Sequence, residues 1–486
     1  MKISTPEAQG IPSKALERFV DKLKEQKIPV HSILMARHGH MIMEAYYQPY
    51  DKEKLHRMFS ETKSFTSLGI GLLVSDGVIH LEDKICQYFP EYLPGKVHPW
   101  LEEMTIKDML RMETCHNMTT YEKTSTTENW VRSFFQTVPT HRPGQIFMYD
   151  TSASHTLCAL VEKLTGQKLL DFLKDRILRQ IGFSEESYIM EDPFGVSMGG
   201  TGLMAKPTDM LKVGLMLLNG GKDPDDYGKE DGRQVYPKEY LDQALKFQTS
   251  TIMNSLSSLS LLDWGYGFQF WKMPGNGFAM IGMGSQDTMC FPEQDMVITM
   301  TSDTQGIPNG SDMILNLIRT EIFEQLSDQP LPELGETEQK LWKEKLEKLE
   351  LPVLEDWGGE NVSQMVNGKD YKFYVNKEGF YRMRLSFETD QTGVLEYENE
   401  SGNHQIPFGM GNHQIGMFPE YDQLCASSGA WCSKDTFHVC CQMIDEFVDA
   451  VHFKLVFAEN GTMTILMKKT EESKTNKFHG IYIAVG

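Results

Sequence analysis

No run of about 18 apolar residues occurs anywhere in the 486-residue chain, so no membrane-spanning helix is expected. No cluster of lysine and arginine stands out, and the net charge is −21. Such a field repels nucleic acid and anionic membrane surfaces, so neither is expected as a partner, and the acidity reads as solubility. The eight cysteines are scattered, and no two stand in C-x-x-C spacing. That removes the signature of a zinc site of that type. The first ten residues, M-K-I-S-T-P-E-A-Q-G, contain no apolar signal-peptide core. A reduced, cytoplasmic chain with buried thiols is therefore the expectation.

What is present suffices for two domains: hydrophobic residues make up 40% of the chain and aromatics 10%. The stretch H-S-I-L-M-A-R-H-G-H-M-I-M-E-A-Y-Y (31–47) reads as two strands around a turn at His38-Gly39. A helix is expected over 60–75, mostly helical pattern over 80–225, and short strands at 268–271, 278–281, 288–291 and 296–301. A closing helix follows over 311–325. Strands at both ends of a helical middle predict an α+β layer, one antiparallel sheet flanked by helices. S-D-Q-P-L-P-E-L-G-E (327–336) has the composition of a linker, and a charged helix with Trp342, Leu346 and Leu349 on one face follows it. Beyond 352 the period changes to two. Met383 and Leu385 alternate with Arg382 and Arg384, and Asn460-Gly461 sits between two apolar runs as a hairpin turn. The expected organisation is a catalytic-type domain over 1–328, linker and charged helix over 329–351, and an all-β, barrel-like C-terminal domain over 352–486. The G-N-H-Q-I repeat at 402–406 and 411–415 brings His404 and His413, with no carboxylate or thiol at ligand spacing to either. Both read as loop residues beside strands, not metal ligands.

The stretch F-S-E-T-K-S-F-T-S-L-G-I-G-L-L-V-S-D-G (59–77) places Ser60 one helical turn before Lys63, and no other serine in the chain has a lysine three residues on. Positions i and i+3 share a helix face. A serine hydroxyl becomes a nucleophile when a base takes its proton, and a lysine in a dry site can serve as that base, because desolvation disfavours the ammonium. The helix start adds N–H groups and the positive end of the dipole, which suit an oxyanion. The plain alternative is an N-cap serine beside a solvated lysine. Glu61, one position on, reads as a first-turn complement to the dipole that faces away from Ser60, and His116 and His155 read as structural.

The same stretch resembles the first motif block of the serine β-lactamase-like superfamily, which includes class C β-lactamases, penicillin-binding proteins and related esterases and amide hydrolases. H-R-P-G-Q-I-F-M-Y-D-T-S-A-S-H-T-L (141–157) is similar to the second block. G-G-T-G-L-M-A-K-P-T-D-M-L-K-V-G-L-M-L-L-N-G-G (199–221) is similar to the Gly-rich helix block. I-G-M-G-S-Q-D-T-M-C-F-P-E-Q-D-M-V-I-T-M-T-S-D (281–303) is similar to the strand pair of the third. The four blocks stand in the superfamily's order and cover about residues 5–325. The resemblance implies Ser60 as the acylated nucleophile, Lys63 as its proton acceptor, and Tyr149 as a second acid/base, phenolate or proton-sharing. It implies an oxyanion hole from the backbone N–H groups of Ser60 and Ser285, with Thr151, Gly284 and Gln286 beside the substrate.

Two positions depart from the superfamily's pattern. Tyr149-Asp150-Thr151 stands where Tyr-x-Asn is usual, and Gly282-Met283-Gly284 stands where a lysine or histidine precedes the glycine. The second change removes the cation that meets a substrate carboxylate, which shifts the expectation from β-lactams and D-Ala-D-Ala to small esters, amides or peptides. The expected reaction is hydrolysis through an acyl-enzyme, with no metal or organic cofactor. Acyl transfer to another acceptor and a slowly acylating sensor are the alternatives. The tail is similar in kind to the lipocalin-like barrel of some peptidase relatives, with two roles open to it: capping the pocket or building a homo-oligomer.

Overall fold

The computed structural model describes residues 1–121, 129–253, 263–357, 361–470 and 477–486. They divide into two compact units, Met1–Leu349 and Glu350–Gly486. Ten strands are described in the first: β1 (Lys2–Ile3), β2 (Val30–Arg37), β3 (His40–Tyr46), β4 (His56–Arg57), β5 (Tyr188–Ile189), β6 (Leu203–Ala205), β7 (Trp271–Lys272), β8 (Phe278–Gly282), β9 (Gln286–Phe291) and β10 (Met296–Ser302). Seven form one sheet in the order β1-β3-β2-β10-β9-β8-β7, antiparallel except at β1–β3. β4, β6 and β5 form a small second sheet. The turn from β2 to β3 uses the two positive φ angles of His38 (51°) and Gly39 (72°), the geometry that suits the twist of a hairpin.

Six helices matter here: α1 (Ser13–Glu25), α2 (Thr62–Ser75), α3 (Thr151–Thr165), α4 (Pro207–Leu218), α5 (Gly310–Leu317) and α6 (Glu336–Glu347). α1 is amphipathic and buries Leu16, Phe19, Val20 and Leu23 at helical spacing. α2 is different: every residue from Thr62 to Leu73 is buried, so its sequence carries small and apolar residues on all sides. It is the central helix of the core, packed against Leu157, Val161 and Leu169 on one side and Tyr236 and Tyr240 on another. α6 joins this unit through Lys345, which pairs with Glu17 at 3.0 Å and Asp21 at 2.7 Å on α1.

One expected strand is cut short. Of residues 268–271 only Trp271 enters the sheet, because Gln269 adopts a positive φ of 65° and turns into the helical layer. Its amide donates to the carbonyls of Met109 (3.1 Å) and Leu110 (3.0 Å). Its own oxygens accept from Ser64 of α2 (2.7 Å) and Ser154 of α3 (2.6 Å), so it ties the two helices together. The closing helix over 311–325 changes pitch at Ile318, where α5 gives way to a wider turn and then a tighter one.

The second unit is a barrel. Its strands are β11 (Lys369–Phe373), β12 (Arg382–Phe387), β13 (Thr392–Asn399), β14 (Gly402–Met410), β15 (Gln414–Phe418), β16 (Gln423–Ser433), β17 (Thr436–Met443), β18 (Ala450–Phe457), β19 (Thr462–Lys469) and β20 (Gly480–Val485). Nine close into a ring through β11–β20 and a parallel β14–β16 pairing, and β15 pairs with the part of the same β16 edge that precedes the β14 contact. Alternation places Met463, Ile465 and Met467 inside, where Phe408, Trp431, Phe437 and Phe453 fill the lumen. His404 lies within β14, bonded to Asn399 at 3.0 Å.

Candidate active site

The chain reaches the site through β4, and Met58 then donates its N–H to Leu203 O of β6 at 2.8 Å. Phe59 follows with a positive φ of 44°, a sparsely populated conformation for a bulky residue. Its ring is held between the core and the Arg57 guanidinium, 4.7 Å from the ring centroid. This turn starts a short tight helix (Phe59–Glu61) that runs directly into α2 and leaves Ser60 partly exposed while its neighbours are buried.

Three positions on α2 are fastened to the Gly-Gly pair at 199–200 and to β6 just after it. Thr62 Oγ1 accepts from Leu203 N–H (3.0 Å), Lys63 Nζ donates to Gly200 O (2.7 Å), and Thr66 Oγ1 donates to Gly199 O (2.7 Å). Lys63 is thereby fixed with Nζ 3.0 Å from Ser60 Oγ. It is 1% exposed. Burial pushes its pKa down to about 7, against the opposing pull of the Asp150 charge. Near neutral pH the amine is thus available as a base.

Tyr149 comes from the segment before α3. Its phenol hydrogen-bonds Ser60 and Trp271, its ring stacks on Trp271 (5.4 Å, 26°), and Lys63 Nζ lies 4.8 Å from its centroid. The structure therefore brings Ser60, Lys63 and Tyr149 together from separate segments. Burial raises the Tyr149 pKa, and this outweighs the lowering by its two hydrogen bonds. A Lys63 that is itself near neutrality supplies little positive charge to oppose this. Of the two forms expected for Tyr149, phenolate or proton-sharing, burial favours the protonated phenol.

The β8–β9 hairpin closes the other side. Gly282 lies against the segment that leads to Ser60: a Cβ there would stand 2.3 Å from Met58 O. No side chain, cationic or other, fits at this position with the backbone so close, which accounts for the missing lysine or histidine. Gly284 and Ser285 follow with positive φ of 79° and 64°. Behind them the Ser285 hydroxyl is held by Thr304 (2.8 Å) and Ser311 (2.6 Å), so the backbone of the turn is free of its own side chain. Gln286 turns its amide inward. It is fully buried, and its amide group donates to Met283 O (2.8 Å) and Ser302 O (2.7 Å), so it braces the turn. Thr151 opens α3, partly exposed, with its methyl over Gly200.

Glu61 differs from the sequence reading, while His116 and His155 agree with it. Glu61 is 0% exposed, and burial pushes its pKa well up, so it is a neutral acid inside the core and not a charged dipole partner. His155 is buried against Asp192 at 3.1 Å, and His116 packs edge-on to Phe134, both structural. The Gly200 carbonyl, the Trp271 contact and the buried Asp150 were not identified from sequence. The only signals for them were the Gly-Gly pair at 199–200, the aromatic run at 264–271 and an acid directly after Tyr149.

The Beta-lactamase family model matches residues 16–316. The chain belongs to the Beta-lactamase family. Among curated relatives it is 22% identical over 290 residues to a 6-aminohexanoate-dimer hydrolase from Paenarthrobacter ureafaciens, covering 56% of this chain and 72% of that protein. It is 23% identical over 206 residues to Protein flp from Staphylococcus aureus (strain MW2), covering 38% of this chain but only 41% of that protein's length. Among solved structures, EstCE1, a hydrolase with promiscuous acyltransferase activity, superposes with a TM-score of 0.50 at 15% identity, over 63% of this chain and 99% of that one. That likeness concerns the fold of the beta-lactamase unit. Among the described residues, no helix is long and apolar enough to cross a membrane.

Proposed function

We propose that this hydrolase of the Beta-lactamase family works through an acyl-enzyme on Ser60, with small uncharged esters or amides as substrates. The observation that carries the reading is a dry lysine amine 3.0 Å from a partly exposed serine hydroxyl. In the first step Ser60 Oγ forms a bond to the substrate carbonyl carbon and its proton passes to the Lys63 lone pair. The carbonyl oxygen takes the negative charge, beside the backbone N–H groups of Ser60 and Ser285. Collapse breaks the bond to the leaving alkoxide or amine, which receives a proton from the Lys63 ammonium through the Tyr149 phenol. Water then adds to the acyl carbon, gives its proton back along the same path, and Ser60 leaves as the alcohol with release of the acid.

The substrate class follows from Gly282, where the close approach of Met58 O leaves no place for a cation to meet a carboxylate. The name of the 22%-identical relative, a 6-aminohexanoate-dimer hydrolase, supports an amide as the bond cleaved. The test is turnover of nitrophenyl esters and simple amides, with mass mapping after a fluorophosphonate probe. The expected outcome is labelling at Ser60 and multiple turnovers, with Ser60→Ala reduced at least about 10³-fold. One slow acylation without turnover would make the protein a sensor, and unchanged turnover in Ser60→Ala would remove Ser60 from the reaction.

A further inference from the structure

Tyr149 stands one residue before the cap of α3, outside the helix. The backbone beside it is pinned at Met148, whose N–H donates to Met112 O at 2.8 Å. That leaves the side-chain torsions of Tyr149 to be set by what its ring touches. What it touches is Trp271. The two rings stack with centroids 5.4 Å apart and planes 26° from parallel, so the indole from β7 lies along the phenol ring. Tyr266 adds only an edge, at 6.4 Å and 82°. Lys63 Nζ, 4.8 Å from the centroid, is a single group that sets no plane.

Trp271 is itself held from several sides. It is 3% exposed. Tyr266 meets it edge-on at 4.8 Å and 77°, and Phe147 at 6.0 Å and 64°, while Phe147 and Tyr266 meet each other at 5.3 Å and 65°. Edge-to-face contacts favour particular angles between rings as well as distances. The backbone is tied too. Trp271 pairs with Ala279 of β8 and with Tyr266, and the N–H of Lys272 donates to Gly265 O at 2.9 Å. β8 ends at Gly282, just before the turn of Gly284 and Ser285. The indole thus belongs to the sheet that carries this turn, whereas Tyr149 belongs to the helical layer. Their stack brings the two layers into register beside Ser60.

We propose that Trp271 is a positioning residue of this site, whose indole face sets the plane of the Tyr149 ring and so aims the phenol oxygen at Ser60 and the leaving group. The proposal rests on Tyr149 being the proton relay of the acyl-enzyme reading. In acylation the phenol gives its proton to the departing oxygen or nitrogen as it takes one from the Lys63 ammonium, so one O–H bond breaks and another forms. The oxygen must then lie within reach of two groups at once, and a displacement of about 1 Å costs about 100-fold. The demand differs between substrates. A nitrophenolate is a weak base and departs without a proton, whereas an ethoxide is a strong base and must be handed one. A misplaced phenol is therefore felt on an ethyl ester far more than on a nitrophenyl ester. Core packing alone, the plain alternative for Trp271, gives equal losses on both.

The test is kcat/KM, which covers the steps through acylation, for the nitrophenyl and ethyl esters of butyric acid with the full chain. Trp271→Leu and Trp271→Met both remove the ring face and are checked for folding by circular dichroism. The expected result in either is a loss on the ethyl ester at least about tenfold greater than on the nitrophenyl ester. Trp271→Phe keeps a smaller face and is expected to fall between these variants and wild type. It carries the test if neither of the others folds, and a wild-type ratio of the two rates in it then overturns the proposal. Equal losses on the two esters in a folded Leu or Met variant overturn it as well, and so do rates equal to wild type. Tyr149→Phe, measured in parallel, keeps the two readings apart. If it loses no more on the ethyl ester than on the nitrophenyl ester, the relay role of Tyr149 fails. If it does lose more while the Trp271 variants do not, only the role of Trp271 fails.

Discussion

Ser60 is an ordinary alcohol until its surroundings change the amine beside it. Lys63 sits at about pKa 7 because burial raises the free energy of its ammonium. In water the same amine would be protonated and useless as a base. The sign for activity follows directly: below about pH 7 Lys63 holds its proton and has no lone pair to offer. The rate constant kcat/KM is expected to fall about tenfold per pH unit on the acid side of a limb near pH 7, measured with a nitrophenyl ester. A profile flat from pH 5 to 8 would show that Lys63 is not the base. Gly282 makes the second prediction at this scale. In Gly282→Ala the new methyl meets Met58 O, whose backbone leads to Ser60 two residues on. The expected losses are about 1–3 kcal/mol of stability from overpacking and at least about tenfold in kcat from displacement of the nucleophile. Thermal melting and steady-state kinetics on one sample read both, and an unchanged kcat would mean the hairpin yields without moving Ser60.

At the scale of elements, the site is held by joints between segments far apart in the chain. α2 is fastened to residues 199–203 at three points, and Gln269 ties α2 to α3. A further joint lies where β4 leads into the Ser60 segment: His31 Nδ1 of β2 stands 2.7 Å from His56 Nε2. His56 Nδ1 meets Arg57 O at 3.0 Å, so Nδ1 carries the proton and His31 donates to His56. Both rings are buried beside Tyr50, and burial lowers both pKa values, that of His56 to about 4. The unfolded imidazoles titrate near 6.5, so as pH falls through that value the unfolded chain takes up protons first. Stability that is fully present above about pH 6.5 is therefore expected to be lost progressively toward pH 4, by on the order of 3 kcal/mol for His56. Urea midpoints at several pH values measure this, and His56→Gln is expected to flatten the dependence. An equally steep fall in that variant would assign the acid sensitivity elsewhere.

For the molecule as a whole, every group named in the site comes from the Met1–Leu349 unit, while the Glu350–Gly486 unit has its own closed hydrogen-bond ring and its own core. A chain ended after Leu349 is expected to fold and to keep ester hydrolysis within about tenfold, a change of roughly 1.4 kcal/mol in the barrier. A folded but inactive truncation, by circular dichroism and nitrophenyl ester assay, would show that the barrel contributes to the chemistry. The barrel interior is filled by Phe408, Trp431, Phe437 and Phe453, with Gly429 admitting the edges of Phe408 and Phe437.

The sequence alone determined the local features: the serine–lysine spacing, the β2–β3 turn, the alternation of the barrel strands, and the four ordered blocks that mark the family. These depend on residues within a turn or a strand of one another, where spacing fixes geometry. The tertiary structure decided the rest. It decided that Lys63 is dry, that Tyr149 is a neutral phenol, that Glu61 lies inside the core, and that Gln286 braces a turn. The first three depend on what residues 80 to 240 positions away do to the local dielectric and hydrogen bonding, and the last on carbonyls 3 and 16 positions away that the folded turn brings to one amide; no periodicity encodes either. Gly282 belongs to both: its lack of a side chain is legible in the sequence, but its reason is a carbonyl more than 200 residues earlier.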